Sequence, residues 1–173
     1  MTGFSLIVDD RSVLTALLHL AERVAPSGMA EAMEDIGEDL AESTQQRFST
    51  GTAPDGSRWA PLAKGTVLAR LASIGGAYGK KTGQLTKKGS AAAMGMKPLV
   101  ETGGLQEDFH HQLIDGGAGV AIGTNRFAGE WDGGAAVHQF GSKDGRIPAR
   151  PFLGLSAADK VSVLEIIKRH LST

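Results

Sequence analysis

AAVHQFGSKDGRIPARPFLGLS, residues 135–156, contains no catalytic grammar and too little regularity to fold by itself. HQFG leads into a polar glycine turn, then IPARPFLG, then a run with the spacing of an amphipathic helix. Pro148 and Pro151 fix their own φ and disfavour helix in the residues before them, so the backbone is held extended. Phe140, Phe152 and Leu153 are large apolar groups that require burial, either against the body of the domain or against a neighbouring subunit. A docking segment is built this way. Arg150, between Ala149 and Pro151, is placed to meet a nearby acid or to stay on the surface.

On the C-terminal side, Ser156 is placed to cap a helix reaching about Leu171. Val161, Leu164, Ile167, Lys168 and Leu171 approximate one of its faces. On the N-terminal side, residues 135–140 read as a helical turn and residues 124–134 as a loop carrying Trp131. Before them come two β-runs near 111–114 and 120–123, joined by the hairpin signal Asp115-Gly116-Gly117. Thr102-Gly103 starts a short helix running to about His110.

The first half is more helical. Residues 4–8 form a short strand of β-formers stopped by Asp9-Asp10, and Asp10 can cap a helix to about Val24. Leu14, Leu17, Leu18 and Ala21 fall on one face of that helix, which Pro26-Ser27-Gly28 breaks. A second helix spans 29–48, with Met29, Met33, Ile36, Leu40 and Phe48 on one side and acids crowding the rest. Gly37 costs that helix about 1 kcal/mol against alanine, so either a neighbour packs closely there or the helix bends. A turn-rich loop over 49–57 leads to Trp59, a loop aromatic suited to an interface or to the core. A short helix spans 66–73. Residues 75–97 then lose all periodicity and read as a mobile arm.

Composition excludes several function classes. The 173-residue chain carries no cysteine, so disulfides, thiolate metal sites and cysteine nucleophiles are ruled out. No window approaches the ~18 apolar residues of a membrane span, and the first residues lack the pattern of a signal peptide, which predicts a soluble cytoplasmic protein with no membrane contact. At 5% aromatics, the composition predicts an aliphatic core. His110 and His111 are adjacent and point apart, while GxSxG, HExxH and GxxxxGK[ST] are absent. Neither a catalytic site nor a cofactor is expected.

The formal net charge of −1 hides a segregation. Residues 1–63 hold ten acids against four bases, whereas residues 64–97 hold seven bases and no acid. Lys80, Lys81, Lys87 and Lys88 lie in that basic stretch. It reads as a solvated lysine-rich loop or as one that meets phosphate or an acidic partner.

Taken in order, IGEDLAESTQQRF at 36–48, APDGSRWAPL at 53–62, LVETGGL at 99–105, VAIGTN at 120–125, AAVHQFG at 135–141 and IPARPFLGLS at 147–156 resemble the phage virion morphogenesis family. These are the tail completion proteins of Mu-like and P2-like bacteriophages. The resemblance runs nearly end to end; residues 73–96 depart from it, being longer and richer in glycine and lysine. It implies a structural virion protein at the head-proximal end of the tail or in the neck, assembled in the host cytoplasm as a ring, commonly of six copies. Implied partners are other copies, tail tube or sheath proteins, neck or connector proteins, and DNA passing through the lumen. A non-virion assembly factor and a DNA-contacting accessory protein are the alternatives. The expected interface residues are Trp59, Trp131, Phe140, Arg150, Phe152, Lys80, Lys81, Lys87 and Lys88. The expected fold is a single α+β domain over 1–173. Two N-terminal helices and a C-terminal helix pack on a small, mostly antiparallel sheet, with a flexible Gly/Lys-rich insertion at about 74–98.

Overall fold

A computed structural model describes residues 11–126 and 134–172. The strand expected at 4–8, the Asp10 cap and Trp131 lie outside the described residues. The class is α+β. In order, the elements are α1 (Arg11–Val24), α2 (Pro26–Thr50), α3 (Lys64–Ser73), α4 (Lys87–Gly95), α5 (Gly104–Glu107), β1 (Phe109–Ile114), β2 (Gly119–Thr124), α6 (Gly134–Phe140) and α7 (Ala157–Ser172). β1 and β2 pair antiparallel in the register Phe109 opposite Thr124 through Ile114 opposite Gly119. Asp115, Gly116 and Gly117 all take positive φ in the turn between them, which the two glycines accept without strain.

α2 is the central rod. It packs along the β1–β2 hairpin and along α7. The break before it is the single extended residue Ala25, not the expected Pro-Ser-Gly run. Proline lacks only an N–H that the first helical turn leaves unpaired anyway, so Pro26 opens α2 instead of blocking it. The helix ends where Gly51 turns left-handed at φ 69° and donates its N–H to the Arg47 carbonyl at 2.7 Å. Gly37 is explained by close approach. A β-carbon there would stand 2.6 Å from the His111 ring, which β1 lays across α2. His111 Nε2 lies 3.1 Å from Glu34 Oε1 on the same helix.

Two packed clusters flank the rod. One is aliphatic: Ala32, Ile36 and Leu40 of α2 meet Ile166 of α7, with Val120 and Ile122 of β2 against them. The other is aromatic, against the composition-based expectation. Phe48 sits 5.2 Å from Trp59 in an edge-on pair and 5.6 Å from both Phe109 and Phe152. Composition averages over the chain, whereas here four rings from distant positions converge on one end of α2. Edge-on and tilted contacts of this kind add about 0.5–1.5 kcal/mol per pair beyond area burial.

α7 shows a second difference. Val161 and Leu164 are each 56% exposed, while Asp159 and Ile166 are buried and Val163, Ile167 and His170 are half-buried. A buried carboxylate at Asp159 rotates the helix so that positions four, seven and eight residues on face α2. Periodicity alone could not reveal that a charged residue belonged to the inner face. The insertion also differs from an aperiodic run. Lys87–Gly95 forms α4, capped by Thr86 Oγ1 accepting from the Gly89 amide at 3.1 Å, and Tyr78 pairs with Leu85 in an antiparallel bridge. Alanine at 91–93 supplies the helix propensity that an absence of large apolar residues had masked.

Replacing Gly37 by alanine tests the close approach. Better helix propensity would stabilise α2 by about 1 kcal/mol, but forcing the His111 ring outward costs roughly 1–3 kcal/mol. Thermal denaturation of Gly37→Ala is expected to show a net loss. That loss should reverse to a gain in the Gly37→Ala/His111→Ala double variant.

Candidate interaction surface

The segment after α6 is where the sequence left most unsaid about its partners. Pro148 and Pro151 cannot donate to a sheet, so this extended chain has to find its hydrogen bonds elsewhere. Besides the backbone bonds from Arg150 N–H to the His138 carbonyl at 2.7 Å and from Ser142 N–H to the Ile147 carbonyl at 2.9 Å, side chains supply them. Gln139 of α6 accepts from the amides of Phe152 and Leu153, both at 3.0 Å, and donates to the Leu153 carbonyl at 2.9 Å. Trp59 Nε1 donates to the Pro151 carbonyl at 2.7 Å. Arg47 Nη1 donates to the Phe152 carbonyl at 2.7 Å. Gln139 thus substitutes for a neighbouring strand, and the phenyl ring of Phe152 is carried into the aromatic cluster, 1% exposed.

Arg47 connects this segment to α7. Its Nη2 is hydrogen-bonded to the Asp159 carboxylate, and Asp159 also accepts from Ser43 Oγ at 2.6 Å and from the Ser156 amide at 2.7 Å. Ser156 Oγ in turn accepts from the Asp159 amide at 3.1 Å, closing a reciprocal cap at the start of α7. Burial pushes the Asp159 carboxyl up. The bonds from Ser43 and Ser156, together with the Arg47 charge, outweigh burial and hold it below its ordinary 3.8. Burial, seconded by the Arg150 charge, keeps His138 below its ordinary 6.5.

The expected interface residues therefore divide. Trp59, Arg150 and Phe152 are buried in the chain's own interior. Arg150 pairs with no acid among the described residues. It donates to the Ala60 and Pro61 carbonyls at 2.7 and 2.9 Å, because the loop before α3 offers unpaired carbonyls there. Phe140 faces outward, 78% exposed. Lys80, Lys81, Lys87 and Lys88 are exposed, and Lys88 Nζ donates to the Gly75 carbonyl at 2.7 Å. Lys97 Nζ donates to the Ser49 carbonyl at 2.9 Å, tying the basic insertion to the C-terminal turn of α2. Glu31, Glu34, Asp35, Glu38 and Glu42 line the outer side of α2. Asp35 there binds Arg169 Nη2 at 2.8 Å. Among the described residues no three His, Asp or Glu side chains converge as metal ligands, and no helix is long and apolar enough to cross a membrane.

Sequence reading missed Gln139, Ser43 and the Arg47–Asp159 pair. A base in the last turns of a helix is favoured by the helix dipole anyway, so the sequence does not single out Arg47; its burial does. What the geometry builds is a hydrogen-bonded scaffold with charge and apolar groups left at its surface.

The model of the phage virion morphogenesis family matches residues 8–172. The chain belongs to this family. It is 29% identical over 168 residues to tail completion protein S of Escherichia phage P2, covering 90% of this chain and 92% of that protein. It is 40% identical over 78 residues to Mu-like prophage FluMu G protein 2 of Haemophilus influenzae, covering 42% of this chain and 51% of that one. No solved structure matches it. Across this family member the docking segment and its clamp lie inside the matched region.

Two substitutions probe that clamp. Removing one partner of a buried ion pair strands the other, so Asp159→Asn is expected to destabilise by roughly 3–5 kcal/mol. Because the folded carboxyl sits below 3.8, its contribution is complete above that pH and fades as pH falls through the folded value. Denaturant titrations should therefore show the wild type losing its advantage over Asp159→Asn on acidification, not on alkalinisation. Truncating Phe152 to alanine empties the aromatic cluster and should cost about 3–5 kcal/mol by the same measurement.

Proposed function

We propose that this chain is a structural virion protein that completes the head-proximal end of a phage tail or joins tail to head. It acts as a ring component, commonly of six copies, through protein–protein contacts. Its partners are other copies, tail tube or sheath proteins and neck or connector proteins. The observation that carries this reading is the similarity to a protein called tail completion protein S over nearly the full length of both chains. The surface is consistent with it. Acids line the outer side of α2 and bases cover the insertion, two unlike patches of the kind that a head-to-tail ring contact joins.

The insertion carries the finer part of the proposal. Lys80, Lys81 and Lys87 are exposed and lie against an adjoining chain in the assembled particle. A groove of about 600 Å³ between α2 and α7, lined in part by Asp39, Glu42 and Gln46, offers an acidic receptor. A second reading puts the same lysines near DNA in the lumen, favoured by seven bases without an acid over 64–97.

Deleting the gene from the phage genome that encodes this chain is expected to give tails of unregulated length or heads and tails that fail to join, seen by electron microscopy. Normal infectious particles would overturn the proposal. Lys80→Glu/Lys81→Glu/Lys87→Glu should abolish incorporation into particles while leaving DNA retention by the purified chain unaltered. Salt-dependent DNA retention that disappears in this variant would transfer the lysines to the second reading.

A further inference from the structure

His138 carries a buried polar atom that nothing satisfies. Its Nδ1 is shielded from solvent and has no hydrogen-bond partner. The residue sits in α6, one position before the Gln139 that holds the amides of Phe152 and Leu153, and its own carbonyl accepts from the Arg150 amide at 2.7 Å. It therefore stands at the fixed end of the clamp on segment 147–153. A neutral imidazole can leave one nitrogen without a proton, whereas an imidazolium carries an N–H at both and needs an acceptor for each. Nδ1 meets none.

The charges around the ring sharpen that mismatch. Arg150 is buried, 6% exposed, and its guanidinium donates to the Ala60 and Pro61 carbonyls, not to a carboxylate. Its positive charge acts on the His138 ring, second to burial in keeping that ring neutral. Asp144, on the turn after α6, is committed to Ser142 Oγ, the Arg146 amide and Arg146 Nε. Asp55, on the loop before Trp59, is committed to Ser57. Among the described residues, Arg150 is the charged group that acts on the imidazole.

We propose that protonation of His138 releases the proline-flanked segment: an imidazolium there faces Arg150 with no acceptor for its inward N–H, and lifting segment 147–153 removes the guanidinium and lets water reach the ring. This acid-sensitive latch is independent of the tail-completion role. Its direction is fixed. In the released state the ring titrates near its ordinary 6.5, and in the seated state below it. Above 6.5 neither state takes up the proton, and the clamp holds in full. As pH falls from there to the seated value, the released state alone gains a proton, and the ratio of seated to released chains drops about tenfold per pH unit. Histidine is the side chain whose ordinary range puts such a change near neutrality.

Hydrogen exchange of the Phe152 and Leu153 amides reads the release, because Gln139 Oε1 accepts from both. In the full-length chain, their protection, corrected for intrinsic exchange chemistry, should fall on acidification from about pH 7 to about pH 5, by about tenfold per unit until the seated ring is itself charged. Amides in the middle of α2, such as that of Leu40, should keep their protection. His138→Gln, which has no titrating ring, should show flat protection at Phe152 and Leu153 over the same range. Arg150→Gln should shrink the fall, since burial alone then opposes the proton. The imidazole resonances of His138 in the unaltered chain give a reading that needs no variant, with an expected midpoint below 6.5. Flat protection in the unaltered chain, an equal fall in His138→Gln, or a His138 midpoint at or above 6.5 would each overturn the latch. So would a parallel fall at Leu40, which is unfolding of the whole chain and not release of one segment.

Discussion

The buried ion pair of Arg47 and Asp159 ties three parts of the chain together at one point. One partner lies in the last turns of α2, the other at the start of α7, and the Phe152 carbonyl completes the arginine's set. A pair of this kind is not a source of stability simply because it exists; taking both charges out of water costs about as much as their attraction returns. Its value is in position. With Ser43 and the Ser156 amide filling the carboxylate's remaining sites, one geometry satisfies every group and displaced ones do not. The docking segment, the rotation of α7 and the aromatic cluster around Phe48 all follow from that geometry.

How much of this was legible in the sequence depended on what each residue signalled locally. The hairpin was readable because Asp115-Gly116-Gly117 can do little other than turn, and its two strands fell within two residues of their expected limits. α2 was readable from its apolar side, and Gly37 announced a close neighbour without naming His111. α4 was not, because its stretch lacks the large apolar residues on which periodicity depends. Nor was the inner face of α7: a charge buried by a partner over a hundred positions away leaves no trace in the pattern around it. The aromatic anchors were recognised as needing burial, but whether their pocket lay within the chain or outside it is a tertiary fact. For Trp59, Arg150 and Phe152 it lay within.

That inward closure bears on what remains at the surface. With Trp59 and Phe152 spent on the interior, the described surface still offers the exposed apolar residues of α1, the acids of α2, the basic insertion and Phe140. Apolar rows and opposed charges have complementary uses. Charges at distance orient an approaching partner, and apolar contacts hold it once docked.

Trp59 has an optical consequence. Its indole is packed edge-on against Phe48, 7% exposed, and its ring nitrogen is committed to the Pro151 carbonyl, so its emission reports whether the proline-flanked strand is seated. The chain has a second tryptophan, Trp131, so the signal is isolated in a Trp131→Phe variant. The protein thus carries its own fluorescent gauge of the joint between α2 and the segment leading into α7.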